Sequence, residues 1–489
     1  MSTSVSVRMY RQGFGDCFLL TLKDDGADPH YVLIDCGVVE HSRVKDVVQE
    51  IATTTGGHLD VVAVTHDHAD HVSGFQQAKD DFAPITLGEL WFAWTEDDSD
   101  PVTSAIKKAR GAKLAALSAL ASGAQAAGLT LSPAVGTALE FAGYAVGEGA
   151  PAVGRPGLGE IKPASSGMQD IRDHAKDAGA KILYRLPGEG PFYLDGVQGA
   201  RFYVLGPPHD EKTIDATKII KSGEDIYELT ASLGADASFL SAAVARLTPP
   251  GQGDPWDDAA EMGYPFDVVH RLPYELGQDD KITPPSDDTA AAFFREHYSC
   301  GEDNQWRRID SDWLGTAGQL AMRIDDDTNN TSLVLAVELV ESGKVLLFPG
   351  DAQIESWQTW SACTFSFEEH GKKVERTGAE LLGSVVFYKV GHHGSHNGTA
   401  KVDGLELMIS HDLVAMIPTD PTYSKVVNQK TTGWYMPEEH VLAALESKTR
   451  GYVVQANPGD DNILPKGADP AFLKKLTVED LYIEYVVTD

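Results

Sequence analysis

Short apolar runs recur along this chain, and several of them end on a carboxylate or an imidazole. Val5, Val7 and Met9 alternate with Ser4, Ser6 and Arg8, the period-two pattern of a strand with one buried face. Tyr31-Val32-Leu33-Ile34 closes on Asp35-Cys36-Gly37, and Leu59-Asp60-Val61-Val62-Ala63-Val64 runs into Thr65-His66-Asp67-His68-Ala69-Asp70-His71. Val345-Leu346-Leu347-Phe348 is followed by Pro349-Gly350-Asp351, and Val385-Val386-Phe387-Tyr388-Lys389-Val390 by Gly391-His392-His393-Gly394-Ser395. Runs of this length and β-branched content predict buried strands. Four strands that each deliver Asp or His at the C-terminal end predict an α/β fold whose site gathers at one sheet edge.

Between His71 and Asp351 the pattern changes. Val102 to Gly128 is alanine-rich and predicts a helix; its Lys107, Lys108, Arg110 and Lys113 read as a solvated face rather than a phosphate-steering patch. Leu131 to Pro163 is punctuated by Gly and Pro and reads as loop. Ser165 to Ala178 and Glu224 to Leu247 are helical candidates, and an acidic segment of little periodicity begins at Thr248. Lys181 to Tyr184 and Arg201 to Leu205 read as strands that rejoin the main sheet. Gln12 to Asp35 and Leu333 to Asp351 each read as paired strands ending in Asp. These features divide the chain into residues 1–96, an insertion at 97–322 and residues 323–489. Trp91-Phe92-Ala93-Trp94, Trp357 and Trp360 read first as packing.

Composition narrows the function classes. With 73 acidic against 40 basic residues the formal charge is −33, a field that repels polyanions. It argues against coating long duplex nucleic acid and leaves a short or single-stranded substrate open, since bound cations reverse the charge locally. No apolar run reaches bilayer-spanning length, so no membrane part is expected, and the N-terminus lacks a signal-peptide layout. Cys17, Cys36, Cys300 and Cys363 form no CxxC pair and read as thiols of a reducing cytoplasm.

The stretch from Thr65 to His71 holds three histidines and two aspartates in seven positions. Imidazole and carboxylate are ligands for zinc, manganese or iron, and crowding so many ionisable groups is costly unless a cation compensates them. A polar turn that merely happens to hold three histidines would not be accompanied by three more strand ends of the same kind.

Asp35, His66-x-His68-x-Asp70-His71, Asp351 and the His392/His393 pair resemble the ordered motifs of the metallo-β-lactamase fold. More narrowly, Gln12-Gly13-Phe14-Gly15-Asp16, Asn330-Thr331-Ser332-Leu333, Pro349-Gly350-Asp351-Ala352 and Lys389-Val390-Gly391-His392-His393-Gly394-Ser395 are similar to the soluble nuclease-like domain of ComEC-type competence proteins. The resemblance covers roughly residues 5–95 and 320–455. It implies a four-layer αββα sandwich whose two halves are residues 1–96 and 323–489, interrupted by a large, mostly helical and looped insertion. It also implies two divalent metal ions, zinc or manganese. His66, His68 and a third group would hold one, Asp70, His71 and one of His392/His393 the other, with Asp351 bridging and Asp35 orienting a ligand. Two positions depart from that pattern: the strand end where a further histidine is expected carries Gly206-Pro207-Pro208, with His209 as a possible extra ligand just beyond, and Met436-Pro437 stands where His-Pro is usual.

The implied activity is metal-dependent hydrolysis by a metal-bound hydroxide, with Asp70 and Asp351 at the reacting centre and His396 placed to donate a proton to the leaving oxygen. A helix starting after His71 would keep that imidazole neutral for a metal. Only one of His392 and His393 is expected to ligate, because neighbours leaving a strand point to opposite sides. The resemblance favours a phosphodiester of short or single-stranded nucleic acid or a nucleotide. A small ester, lactone or amide is the alternative, and a non-catalytic metal-binding scaffold the second alternative. The insertion is expected to gate the substrate or to meet a protein partner through its acidic stretches.

Overall fold

The computed structural model describes residues 2–39, 43–126, 167–209, 288–298, 314–369, 371–420, 436–456 and 467–489, with short pieces within 135–163 and 275–285 and at 464–465. The helix expected at Glu224 to Leu247, the start of the acidic segment at Thr248 and Cys300 lie outside them.

The predicted strands assemble into two mixed sheets in an α/β arrangement. In the eight-stranded sheet the order is Leu476–Val478, Tyr482–Thr488, Thr3–Tyr10, Cys17–Asp24, His30–Cys36, His58–Ala63, Thr86–Ala93 and Lys181–Arg185. Pairing is antiparallel as far as His30–Cys36 and parallel from there on. The six-stranded sheet runs Val453–Gln455, Val414–Ile417, Val385–Lys389, Val345–Phe348, Val334–Leu339 and Ala200–Gly206. The two strands near 181–208 thus go to different sheets, one to an edge of each.

Period-two alternation decides which side chains meet. Val5, Val7, Met9, Phe18, Leu20, Val61 and Trp91 face Phe202, Val204, Leu335, Phe348, Phe387 and Met416 in one buried cluster between the sheets. The opposite face of the larger sheet, with Leu19, Leu33, Leu59 and Phe92, is covered by helices. In Val44–Thr55 the buried Val44, Val47, Val48 and Ile51 recur at helical spacing, and Gly56 in the left-handed region ends that helix. Val72 and Phe75 of Ala69–Gln77 and Met168 and Ile171 of Gly167–Asp177 complete the cover. Trp357, Trp360, Leu381, Leu382 and Leu445 cover the outer face of the smaller sheet. The tryptophans therefore pack, as their spacing suggested.

The helix Pro101–Ala126 forms where the alanine-rich run predicts it; Lys108 is exposed as expected, but the other three basic residues are not a solvated face. Lys107 pairs with Glu96 and Asp98, Arg110 with Asp67 at 3.3 Å, and Lys113, only 8% exposed, with Asp327 at 3.0 Å. Acids from distant segments answer these cations, a pairing that helix periodicity does not carry. Among the described residues no helix is long and apolar enough to cross a membrane.

Two glycines separate close approach from mere flexibility. A β-carbon at Gly37 would lie 2.0 Å from the Asp70 carbonyl carbon and 2.2 Å from the His71 nitrogen, whereas one at Gly111 would meet nothing within 4 Å. Gly37→Ala should therefore destabilise the protein by about 2 kcal/mol or more, and Gly111→Ala should stabilise it by about 0.5–1 kcal/mol. Denaturant midpoints of the two variants check the opposite signs.

Candidate metal centre

The strands His30–Cys36, His58–Ala63, Val345–Phe348 and Val385–Lys389 all end at one edge of the packed sheets, and the loops that follow them converge. The opening motif clamps the loop that carries Asp70. The Asp16 N–H donates to the Asp70 carbonyl at 2.8 Å, the Gly37 N–H to the Asp16 carbonyl at 2.9 Å, and Gln12 Nε2 to the carbonyls of Gly15 and Gly37. From the other sheet, the Leu333 N–H donates to the Thr65 carbonyl at 2.9 Å, and Ser332 Oγ accepts from the Asp351 N–H at 3.1 Å.

Asp70, His71, Asp351 and His393 are all buried, and one ligand atom from each lies within 4.8 Å of the others. His393 Nε2 is 2.7 Å from Asp70 Oδ2, and His71 Nε2 is 3.1 Å from Asp351 Oδ2. The far nitrogens are committed: His71 Nδ1 lies 2.8 Å from Asp35 Oδ2 and His393 Nδ1 2.6 Å from the Pro418 carbonyl. An acceptor at each Nδ1 puts the proton there and turns Nε2 toward the quartet, the arrangement a metal-binding imidazole needs. His71 Nε2 and Asp70 Oδ1 are buried without a hydrogen bond. An imidazole nitrogen facing carboxylate oxygens in this way calls for a proton or a metal cation between them, and the quartet could hold a metal ion.

His66 Nε2 faces His68 Nδ1 at 3.1 Å, and the His66 and His71 rings lie 4.2 Å apart. These two imidazoles offer a second pair of nitrogens beside the quartet. Among the described residues no third His, Cys, Asp or Glu joins them in an equally tight group.

Electrostatics separates the histidines. Burial pulls His71 down, but Asp351, Asp16, Asp70 and Asp35 outweigh it and hold His71 well above its ordinary value. Burial likewise opposes Asp70, Asp351 and Asp16 at His393, which is also raised. Burial, with His71 and His68 nearby, pushes His66 well down, and burial takes His68 to about 3. Asp70 is lowered to about 2: burial would raise it, but His71 and His393 prevail. The expectation that a helix N-terminus keeps His71 neutral is thus overturned. The helix Ala69–Gln77 begins before His71 rather than after it, and four carboxylates act more strongly than the helix end.

His392 and His393 do not alternate as strand residues. Both adopt the left-handed conformation, φ 47° and 51°, in a tight turn. His393 joins the quartet, while His392 donates its backbone N–H to Asp351 Oδ1 at 2.9 Å and leaves its ring Nδ1 buried without a partner. The difference between the pair is real, but the turn rather than strand alternation produces it. Asp35 sits behind His71 and also accepts from the Thr65 N–H and hydroxyl. His396 is exposed and lies outside the quartet. His209, 41% exposed, meets Asp100 at 3.1 Å and packs on Trp94, away from the quartet; the proline-bearing strand end leaves it on the surface.

Three residues packed against the site escaped the sequence reading. Lys389 is 2% exposed; its ammonium contacts Asp16, the Gly350 carbonyl at 2.8 Å and Asp351 Oδ1 at 3.2 Å. A lysine inside an apolar strand was the available signal, because a buried ammonium demands acidic partners. Asp16 closes the opening motif and is that partner. Asp325 follows His68 Nε2 at 3.6 Å, and nothing in an acidic helix marks one carboxylate as buried.

No protein-family model matches this chain, and no curated protein matches it.

His393→Ala should lose bound metal and His392→Ala should retain most of it, while Asp35→Asn should weaken binding by about 10–100-fold. Elemental analysis of the purified variants checks this; equal losses at both histidines would contradict it. Because carboxylates keep His71 and His393 protonated above their usual range, metal must expel protons, and affinity should rise with pH across that range. Calorimetric titration in two buffers of different ionisation enthalpy should show proton release on binding.

Proposed function

We propose that the chain is a metal-dependent hydrolase with the four-layer αββα architecture of the metallo-β-lactamase fold. One divalent ion, zinc or manganese, would be held by Asp70, His71, Asp351 and His393, and a second by His66 and His68 with Asp351 shared. The observation that carries this reading is the quartet itself, four buried ligands from three strand ends, with an acceptor fixed behind each imidazole so that both Nε2 atoms and the carboxylates of Asp70 and Asp351 turn toward one point. A divalent ion bound there supplies Lewis acidity and a water that ionises near neutral pH.

The chain's own groups prepare that chemistry. Asp35 and the Pro418 carbonyl fix which imidazole nitrogen faces the centre. Lys389 takes Asp351 Oδ1, leaving Oδ2 directed at the ligands. The pocket beside the centre, about 550 Å³, is lined by His392, Ser395, His396 and Asn397 together with Asp325, Asp326, Glu438 and Glu439. No lysine or arginine is among these described lining residues. Such walls favour a small carboxylic ester, lactone or amide over the phosphodiester that the sequence resemblance suggests, because a phosphate would meet four carboxylates with no described lysine or arginine to answer it.

The test is turnover of 4-nitrophenyl butyrate, a δ-lactone and bis(4-nitrophenyl) phosphate by protein whose metal content has been measured. Ester or lactone hydrolysis that is lost on chelation and restored by zinc or manganese is expected. Metal-replete protein that cleaves none of the three would overturn the hydrolase reading; cleavage of the phosphodiester alone would overturn the choice of bond.

A further inference from the structure

The acidic pocket has an unmet demand of its own. Asp325, on the helix Leu314–Asn329, is 8% exposed; its Oδ2 accepts from Asn329 Nδ2 at 3.3 Å, while its Oδ1 is buried, 3.6 Å from His68 Nε2, and makes no hydrogen bond. His392 Nδ1, also on the pocket wall, is likewise unpartnered. Asp326 Oδ1 accepts only from neutral amides, Gln353 Nε2 at 2.7 Å and Asn397 Nδ2 at 3.2 Å. Glu438 caps the helix Glu439–Lys448 by accepting from the Val441 N–H, and Glu439 is exposed at the mouth.

Four carboxylates therefore line one cavity, satisfied in part by neutral donors, and among the described lining residues there is no lysine or arginine beside them, only the imidazoles of His392 and His396. A buried carboxylate oxygen without a donor costs free energy until a donor arrives. A cationic nitrogen supplies both missing elements, N–H donors for Asp325 Oδ1 and positive charge for the wall. Met322 and Met436 give the same cavity an apolar side, against which a short alkyl chain packs.

We propose that this pocket binds an ammonium or guanidinium group joined through a short alkyl chain to the bond that is cut. The proposal rests on the hydrolase reading for the word substrate, but not for binding. Asp325 and Asp326 are its recognition groups, Glu438 and Glu439 add field at the entrance, and the two methionines receive the alkyl segment. A volume of about 550 Å³ suits a small molecule rather than a folded chain.

The probe is agmatine, which carries a guanidinium and an ammonium on one alkyl chain, titrated calorimetrically into metal-loaded protein with glutarate as the anionic control. Agmatine should bind, glutarate should not, and agmatine binding should weaken with salt. Asp326→Asn combined with Glu439→Gln should raise the agmatine Kd about tenfold with metal content unchanged. Glu439→Gln alone, at an exposed position, should raise it severalfold and serves if the double variant fails to fold. Among matched 4-nitrophenyl esters, kcat/KM should fall from the 4-guanidinobutyrate to the butyrate to the hemiglutarate.

The inference is overturned if agmatine does not bind metal-loaded protein, which would mean that the metal itself meets Asp325. It is equally overturned if glutarate binds as well, or if the substitutions leave the Kd unchanged. Agmatine binding without hydrolysis of any ester would sink the hydrolase reading and leave the pocket assignment standing. Hydrolysis of the neutral ester without agmatine binding or inhibition would do the reverse.

Discussion

Asp351 is shared between two demands, and the site depends on that division. One oxygen meets Lys389 and the His392 N–H; the other faces His71 and His393. Asp16, Asp35, Asp70 and Asp351 bring four carboxylates into the protein interior, each at most 3% exposed. Left to themselves they would repel one another and resist ionisation. The buried Lys389 ammonium, with protonated His71 and His393, compensates them within the chain, and removing one partner of such a pair typically costs about 3–5 kcal/mol. The same network joins the sheets, since Asp16 and Asp70 belong to one and Asp351 and Lys389 to the other. Metal binding and sheet packing are thereby parts of one electrostatic arrangement.

Much of this was legible along the chain. Strands announced themselves through apolar runs, and their C-terminal Asp and His residues converge because parallel strands end at a common edge. The dense Thr65–His71 stretch marked the centre without any knowledge of pairing. What failed were local rules applied where distant residues dominate. The protonation of His71 depends on carboxylates from four segments, of which sequence neighbours show only Asp70. The His392/His393 contrast arises from two left-handed residues, and a strand's alternation carries no hint of them. Asp325 sits in the run Asp325-Asp326-Asp327, where burial differs from residue to residue although the amino acid does not. Lys107, Arg110 and Lys113 looked solvated because the acids that answer them lie on other elements.

Among the described residues, the long intervening region touches the centre through one helix. Through Arg110 and Asp67 the helix Pro101–Ala126 grips the loop between His66 and His68, and through Lys113 and Asp327 it reaches the helix that carries Asp325. A segment that supplies no member of the quartet thus still restrains two of the loops around it. Changes there would be felt as altered placement of His66, His68 and the pocket wall rather than as loss of a ligand.

The strand Thr3–Tyr10 pairs on one side with Cys17–Asp24 and on the other with Tyr482–Thr488. During synthesis its first partner emerges at once, but the second appears only after residue 482 has left the ribosome. Until then an open edge bearing Val5, Val7 and Met9 waits in the cell, the kind of edge that recruits strands from other molecules. Arg8, answered in the finished protein by Glu50 and Glu484, is a charge on that edge while the wait lasts. Closure of that edge therefore depends on a contact almost the whole described length apart in sequence, so conditions that prolong exposure of the edge would bear on the yield of folded protein more than on its final stability.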